Sequence, residues 1–354
     1  MITVTNKPIS PIFTSELDAF SFKISGEYAV VTITCGDEEV LSENYYPVSG
    51  KVTIHDLGTL VSDYVRQTVV ADCTIKITEH TGDSDTDNWT GKFTAHYATV
   101  DINMSCEAFL DTFFLTLLDG YKLTRLGHRE YLHAAGTDST VPIVVAQYFD
   151  GSHTVNTATF GAEDVPVHTD KGVTTFDVSP DRFYDESKGS LFAYTVSVGK
   201  REQEFRIDHT QAVADPVLLF TNSFGCQEIF YCLGKKKIAP TFERKQAVIE
   251  GKKINYSVRE TRTFEGDTGI IPPSMAHFAE DLLRSDEVYL FRDYAQDKEI
   301  TFTDSKSERT NEDDDLAEFT FSYQYAQRVQ NVIFRTVSST SGRIFDDSFD
   351  DTFN

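Results

Sequence analysis

The stretch "YAVVTITC", residues 28–35, alternates apolar and polar side chains, and the same two-residue period returns along much of the chain. A period of two places alternate side chains on opposite faces of an extended strand. No other feature constrains the fold as strongly. "FSFKI" (20–24), "KVTIH" (51–55), "CTIKIT" (73–78) and "KFTAHY" (92–97) repeat the pattern. So do "VPIVVAQY" (141–148), "VTTFDV" (173–178), "FAYTVSV" (192–198) and "QEFRI" (203–207). Turn-forming stretches separate them: "SGE", "CGDEE", "TGDSDTDN", "FDGSH" and "VGKRE". The expected fold is mainly β: tandem sandwich-like domains followed by a third β-rich domain with one packed helix.

At 354 residues the chain exceeds what one small core serves. The strand groups divide it into domains at 1–103, 104–212 and 213–344, with a tail at 345–354. The first two groups read as copies of one pattern, as a duplication would leave. "GKVTIHDLGTLV" (50–61) corresponds to "KGVTTFDVSPDRF" (171–183), "CTIKITEHTGD" to "FAYTVSVGKRE", and "KFTAHY" to "QEFRID".

Two helices interrupt the strands. "LGTLVSDYVRQ" aligns Leu57, Leu60, Val61, Tyr64 and Val65 on one face. "PPSMAHFAEDLLRS" offers Ser274 as N-cap of a helix over 274–284, with Met275, Phe278, Ala279, Leu282 and Leu283 inward. "CEAFLDTFFLTLLDGYKL" reads as a helical turn running into a hairpin at Asp119-Gly120. In the third domain, "KKINYSVRETRTF" and "AEFTFSYQYA" alternate cleanly, the latter with Phe319, Phe321, Tyr323 and Tyr325 on one face.

The net charge of −24 argues against nucleic acid or an anionic membrane as main partner, since both need a cationic face. No basic, apolar leader and no apolar run of about 18 residues is present, so neither a secretory signal nor a membrane span is expected. The five cysteines are scattered. Cys226 and Cys232 would lie roughly 20 Å apart on one strand, beyond disulfide reach. Reduced, mostly buried thiols are expected.

Chemical motifs are sparse. Asp83, Asp85 and Asp87 alternate as in the start of a calcium loop, but Asn88 and Thr94 stand where glycine and glutamate belong. The sequence has no HExxH, CxxC, GxSxG or phosphate-binding glycine loop. No catalytic, cofactor or metal residue is assigned, and no enzymatic activity is expected. Asp281 with Glu287 could serve a glycosidase, and Trp89 beside Tyr97 could form a sugar platform.

Charge is segregated. Residues 235–262 hold nine Lys or Arg, beginning with Lys235, Lys236 and Lys237, against three acids. The chain closes on "FDDSFDDTFN", where Phe345, Phe349 and Phe353 recur every four residues between Asp346-Asp347 and Asp350-Asp351. Either helix or strand would align the three rings. The tail therefore reads as an acidic, aromatic docking segment, matched to the basic stretch of its own chain or of a neighbour.

Several segments resemble the β-rich structural proteins encoded by Bacteroidales phages and prophages. They are "TVTNKPISPIF…FSFKISG", "YYPVSGKVTIHDLGTLVSDYV", "FLTLLDGYKLTRLGHREYL", "LFTNSFGCQEIFYCLG", "TFEGDTGIIPP…DLLRSDEVYLF" and "RIFDDSFDDTFN". The resemblance implies a non-enzymatic virion component of the tail, such as tail tip, baseplate or collar, assembled in the host cytoplasm. Its partners would be further copies of itself, as a homo-oligomer or ring, and other tail proteins. The alternatives are a carbohydrate-binding or adhesin module reaching host-surface glycan, and a glycan hydrolase.

Overall fold

The computed structural model describes residues 1–82, 84–136, 141–151, 154–210, 213–307 and 317–329. It is mainly β, with three α-helices among the described residues. The first unit carries β1 (Thr3–Asn6), β2 (Ile12–Phe13), β3 (Phe20–Lys23), β4 (Tyr28–Cys35), β5 (Glu38–Tyr45), β6 (Lys51–Ile54), β7 (Val70–Thr81) and β8 (Ser84–His96). They form sheets β1-β3-β6 and β2-β8-β7-β4-β5. The alternation brings Val31, Ile33, Ile75 and Ile77 of the larger sheet into one core with Phe20, Phe22, Val52 and Ile54 of the smaller. Helix α1 (Leu57–Thr68) crosses from β6 to β7, burying Leu57, Val61 and Val65. A Cβ at Gly58 would stand 2.4 Å from the Thr14 carbonyl oxygen, so only glycine lets α1 approach this closely.

After α2 (Cys106–Thr112), the second unit carries β9 (Tyr121–Thr124), β10 (Tyr131–Ala135), β11 (Ile143–Phe149), β12 (Val155–Phe160), β13 (Val167–Asp170), β14 (Val173–Asp177), β15 (Ser190–Val198) and β16 (Arg201–Ile207). Its five-stranded sheet, β9-β16-β15-β11-β12, has the order and connectivity of β2-β8-β7-β4-β5, including one parallel pair at the same end. The smaller sheet is β10-β14-β13. The segments matched by sequence occupy matched strands: β6 with β14, β7 with β15, β8 with β16. The crossover differs. Two short 3-10 turns, Pro180–Phe183 and Glu186–Lys188, stand where the first unit has α1.

The third unit has β17 (Val217–Thr221), β18 (Gln227–Tyr231), β19 (Lys237–Ile249), β20 (Lys252–Asp267), α3 (Ala276–Arg284), β21 (Val288–Arg292), β22 (Ala295–Lys306) and β23 (Thr320–Tyr325). The sheet order is β18-β17-β21-β22-β23-β20-β19. Phe319, Phe321, Tyr323 and Tyr325 are all buried, in one core with Phe278 and Leu282 of α3.

Three local expectations are corrected. Ser274 does not cap α3. It lies in a 3-10 turn (Pro273–Met275), and its hydroxyl donates to the Tyr121 carbonyl at 2.6 Å, so the helix begins only at Ala276. No hairpin turns at Asp119-Gly120, because β9 pairs in parallel with β16. Cys35 and Cys73 form a disulfide, since β4 and β7 pair these two positions directly with Cα atoms 4.2 Å apart. Cys106, Cys226 and Cys232 are free and buried.

Candidate interaction site

Two features of the third unit bear on what the molecule can do. The first is the junction around the β17–β18 turn. Phe224, at that turn, is fully buried in a cluster drawn from all three units, with Phe13, Phe109, Leu115 and Val173. Its ring stacks on Phe109 at 5.2 Å. The Asn222 side chain accepts from the Phe224 and Cys226 amides and donates to the Leu115 carbonyl and to Glu228, each of the latter at 2.8 Å. Ser223 donates its amide and hydroxyl to the buried carboxylate of Asp281. A buried polar group without partners is destabilising, so such bonding fixes the turn.

Ionic contacts cross the same junction. Lys122 of β9 is buried, with its Nζ 2.7 Å from Glu130 and 3.1 Å from the Ile229 carbonyl, above the ring of Phe278. The second carboxylate oxygen of Glu130 accepts from the Thr124 hydroxyl. His133 Nε2 lies 2.8 Å from the Gln227 carbonyl. Arg66 of α1 reaches Asp286 and Glu287 at 2.6 and 3.1 Å. Burial pushes Glu228 up to about 7, against the pull of Lys122 and the bonds from Asn222 and Thr116. Burial likewise drives His133 down to about 4, against its bond to Gln227.

The second feature is a ribbon. β20 pairs with β23 only over Phe264–Asp267, and from there β19 and β20 run out as a pair to Glu250-Gly251. Both turn residues have positive φ, as a two-residue type I′ turn requires. About 12 residues per strand extend past the sheet, roughly 40 Å. Phe242, Val248, Ile249, Ile254, Tyr256 and Val258 are exposed on the ribbon, Val248 by 66% and Tyr256 by 64%. Lys245, Lys252, Lys253 and Arg259 make no ion pair among the described residues, and Arg244 rests over Phe242. The sequence located the basic charge of this region and its second strand, but not the ribbon. The signal for it was the alternating run "KKINYSVRETRTF" directly after Glu250-Gly251.

The three lysines singled out in sequence lie at the root of the ribbon. Lys236 pairs with Asp215 at 2.7 Å and Lys237 with Glu265 at 2.8 Å, while Lys235 is exposed. They border a cleft of about 560 Å³, shared with Asp304, Ser305 and Phe321. Phe345, Phe349, Phe353, Asp346 and Asp347 lie outside the described residues. Trp89 stacks on Phe20 at 5.8 Å and Tyr97 is buried, so the two present no open aromatic platform. Asp281 is engaged by Ser223, whereas Glu287 is held by Arg66 and Thr221. Asp85 faces His80, and Asp87 accepts from the Ile2 and Asn88 amides. Among the described residues no group of three His, Cys, Asp or Glu is arranged to hold a metal ion, and no helix is long and apolar enough to cross a membrane.

No family model matches the chain, and no curated protein matches it. Among solved structures, the full extracellular region of plexin A4 aligns over 92% of this chain at 7% identity and a TM-score of 0.22. The chain spans 40% of that structure's length. A likeness of this size carries no argument about fold or function.

Proposed function

We propose that this chain is a non-enzymatic structural protein of a phage or phage-like tail, serving as a tail-tip, baseplate or collar component of the virion. The observation that carries the reading is the ribbon. A two-stranded ribbon is marginally stable alone in water, and this one exposes large apolar side chains and unpaired cations well beyond its sheet. Such an element has a purpose where a neighbour covers it. The junction complements it, because Phe224 and the bonds of Asn222 and Arg66 interlock the three units. The sequence resemblance to phage structural proteins points the same way.

On this reading the partners are further copies of the chain and other tail proteins. The C-terminal segment docks by Phe345, Phe349 and Phe353 on an apolar β surface, with Asp346 and Asp347 toward cations such as Lys235. Sedimentation and electron microscopy of the purified chain, alone and with the products of neighbouring genes, test the reading. A ring or a defined multimer is expected. Monomers under both conditions would overturn it.

A further inference from the structure

Two strands that end a sheet, β19 and β5, leave long edges unpartnered among the described residues and carry opposite charge. The outer edge of β19 runs 13 residues, with β20 as its only neighbour. The outer edge of β5 runs eight residues, with β4 as its only neighbour. β19 carries Lys237, Arg244 and Lys245 against the single acid Glu243, and β5 carries Glu38, Glu39 and Glu43 and no base. Among the described strands that end a sheet, β5 alone combines several exposed carboxylates with no cation. None of those three carboxylates makes an ion pair among the described residues. Apolar surface accompanies both edges: Tyr46 and Val48, just past β5, are 69% and 79% exposed, and the ribbon offers Phe242, Tyr256 and Val258.

We propose that β19 of one copy adds as a further strand to the free edge of β5 on a second copy of this chain. The inference rests on the assembly reading and names the partner. Charge on an exposed edge ordinarily guards it against pairing. Here the guard is selective. Carboxylates on β5 oppose β5–β5 contact and cations on β19 oppose β19–β19 contact, while the mixed pairing is attractive. Main-chain hydrogen bonds then supply the affinity and the charges supply register and choice of partner. A contact between two different surfaces is head-to-tail, so repeating it closes a ring or extends a filament. High salt should loosen it, because the charges sit in solvent.

The test uses the full chain and two sets of reversals, Arg244→Glu with Lys245→Glu, and Glu39→Lys with Glu43→Lys. All four side chains are exposed, so each variant should keep the unfolding temperature of the parent. By sedimentation velocity at low salt, each set alone should weaken self-association about tenfold or more. Mixing the two variants, or combining both sets in one chain, should restore it. Multimers that survive both reversals would overturn strand addition and leave the assembly reading standing. So would a chain that is monomeric alone yet joins neighbouring tail proteins. Dissociation by each set without restoration on combining them would also overturn it, since the loss would then not come from paired charge. Monomers under every condition would sink the inference and the assembly reading together.

Discussion

At its β18 end the sheet of the third unit is enclosed by the rest of the molecule, and at its β19 end it runs free into solvent. Leu218, Phe220, Ile229 and Phe230 of β17 and β18 are buried, and the turn between those strands holds Phe224 among side chains from all three units. Along the ribbon, Phe242, Tyr256 and Val258 have comparable apolar bulk and remain exposed. One end behaves as an interior and the other as a surface still to be covered. The difference lies in polar bonding as well as apolar area: at the enclosed end Asn222, Ser223, Lys122 and Glu130 all have partners, whereas on the ribbon Lys245, Lys252 and Lys253 have no ion pair among the described residues.

Breaking the enclosed end should produce the largest effect. Lys122→Met leaves Glu130 buried with only the Thr124 hydroxyl, and loss of one partner of a buried ion pair destabilises by about 3–5 kcal/mol. Urea unfolding should register that loss. The double variant with Glu130→Leu should recover most of it, because no uncompensated charge remains. A change under about 1 kcal/mol in the single variant would show that this end is not locked by the pair.

The next effect is smaller and depends on pH. Burial raises Glu228 to about 7 in the folded protein, above its value in the unfolded chain. Its contribution is therefore fully present below pH ~4.5 and is lost as pH rises through about 7. Glu228→Gln removes this dependence. Relative to the parent, the variant should gain roughly 2–3 kcal/mol between pH 5 and pH 8. His133, lowered to about 4, acts with the opposite sign, adding stability as pH rises toward ~6.5. It does so in both proteins, so the difference between them isolates Glu228. Equal stability profiles across this range would show that the carboxylate is charged in the fold.

What the sequence made legible follows from how far apart the interacting residues lie. Alternation located the strands with one buried face, such as β4 and β7, because each pattern is complete within eight to twelve residues. The faces of α1 and α3 were readable for the same reason. β5 escaped because the acids in "EEVLSENY" break the period on an edge that needs little burial. Of the ribbon, the second strand was legible, since "KKINYSVRETRTF" alternates cleanly, whereas the hairpin was not, because Ile238, Phe242, Val248 and Ile249 of β19 keep no single two-residue period. The junction is invisible to local pattern: Lys122 meets Ile229 across 107 positions, and His133 meets Gln227 across 94. The disulfide joins residues 38 apart whose opposition depends on the register of β4 against β7. Charge segregation was correctly seen in sequence, but it did not reveal that Lys236 and Lys237 are already matched to Asp215 and Glu265.

The smallest expected effect sharpens the comparison most. Tyr256→Ser with Val258→Ser removes two large side chains from the ribbon, a change that in a core would be severe. Both side chains are more than half exposed, and surface substitutions usually stay within about 0.5 kcal/mol. The urea midpoint of the isolated chain should therefore hardly move. If the ribbon is an interface, the same pair of changes should weaken self-association or binding to tail partners. Stability without assembly is the signature of a surface kept for a neighbour. A marked drop in the stability of the isolated chain would place the ribbon with the enclosed end of the sheet and remove the distinction between them.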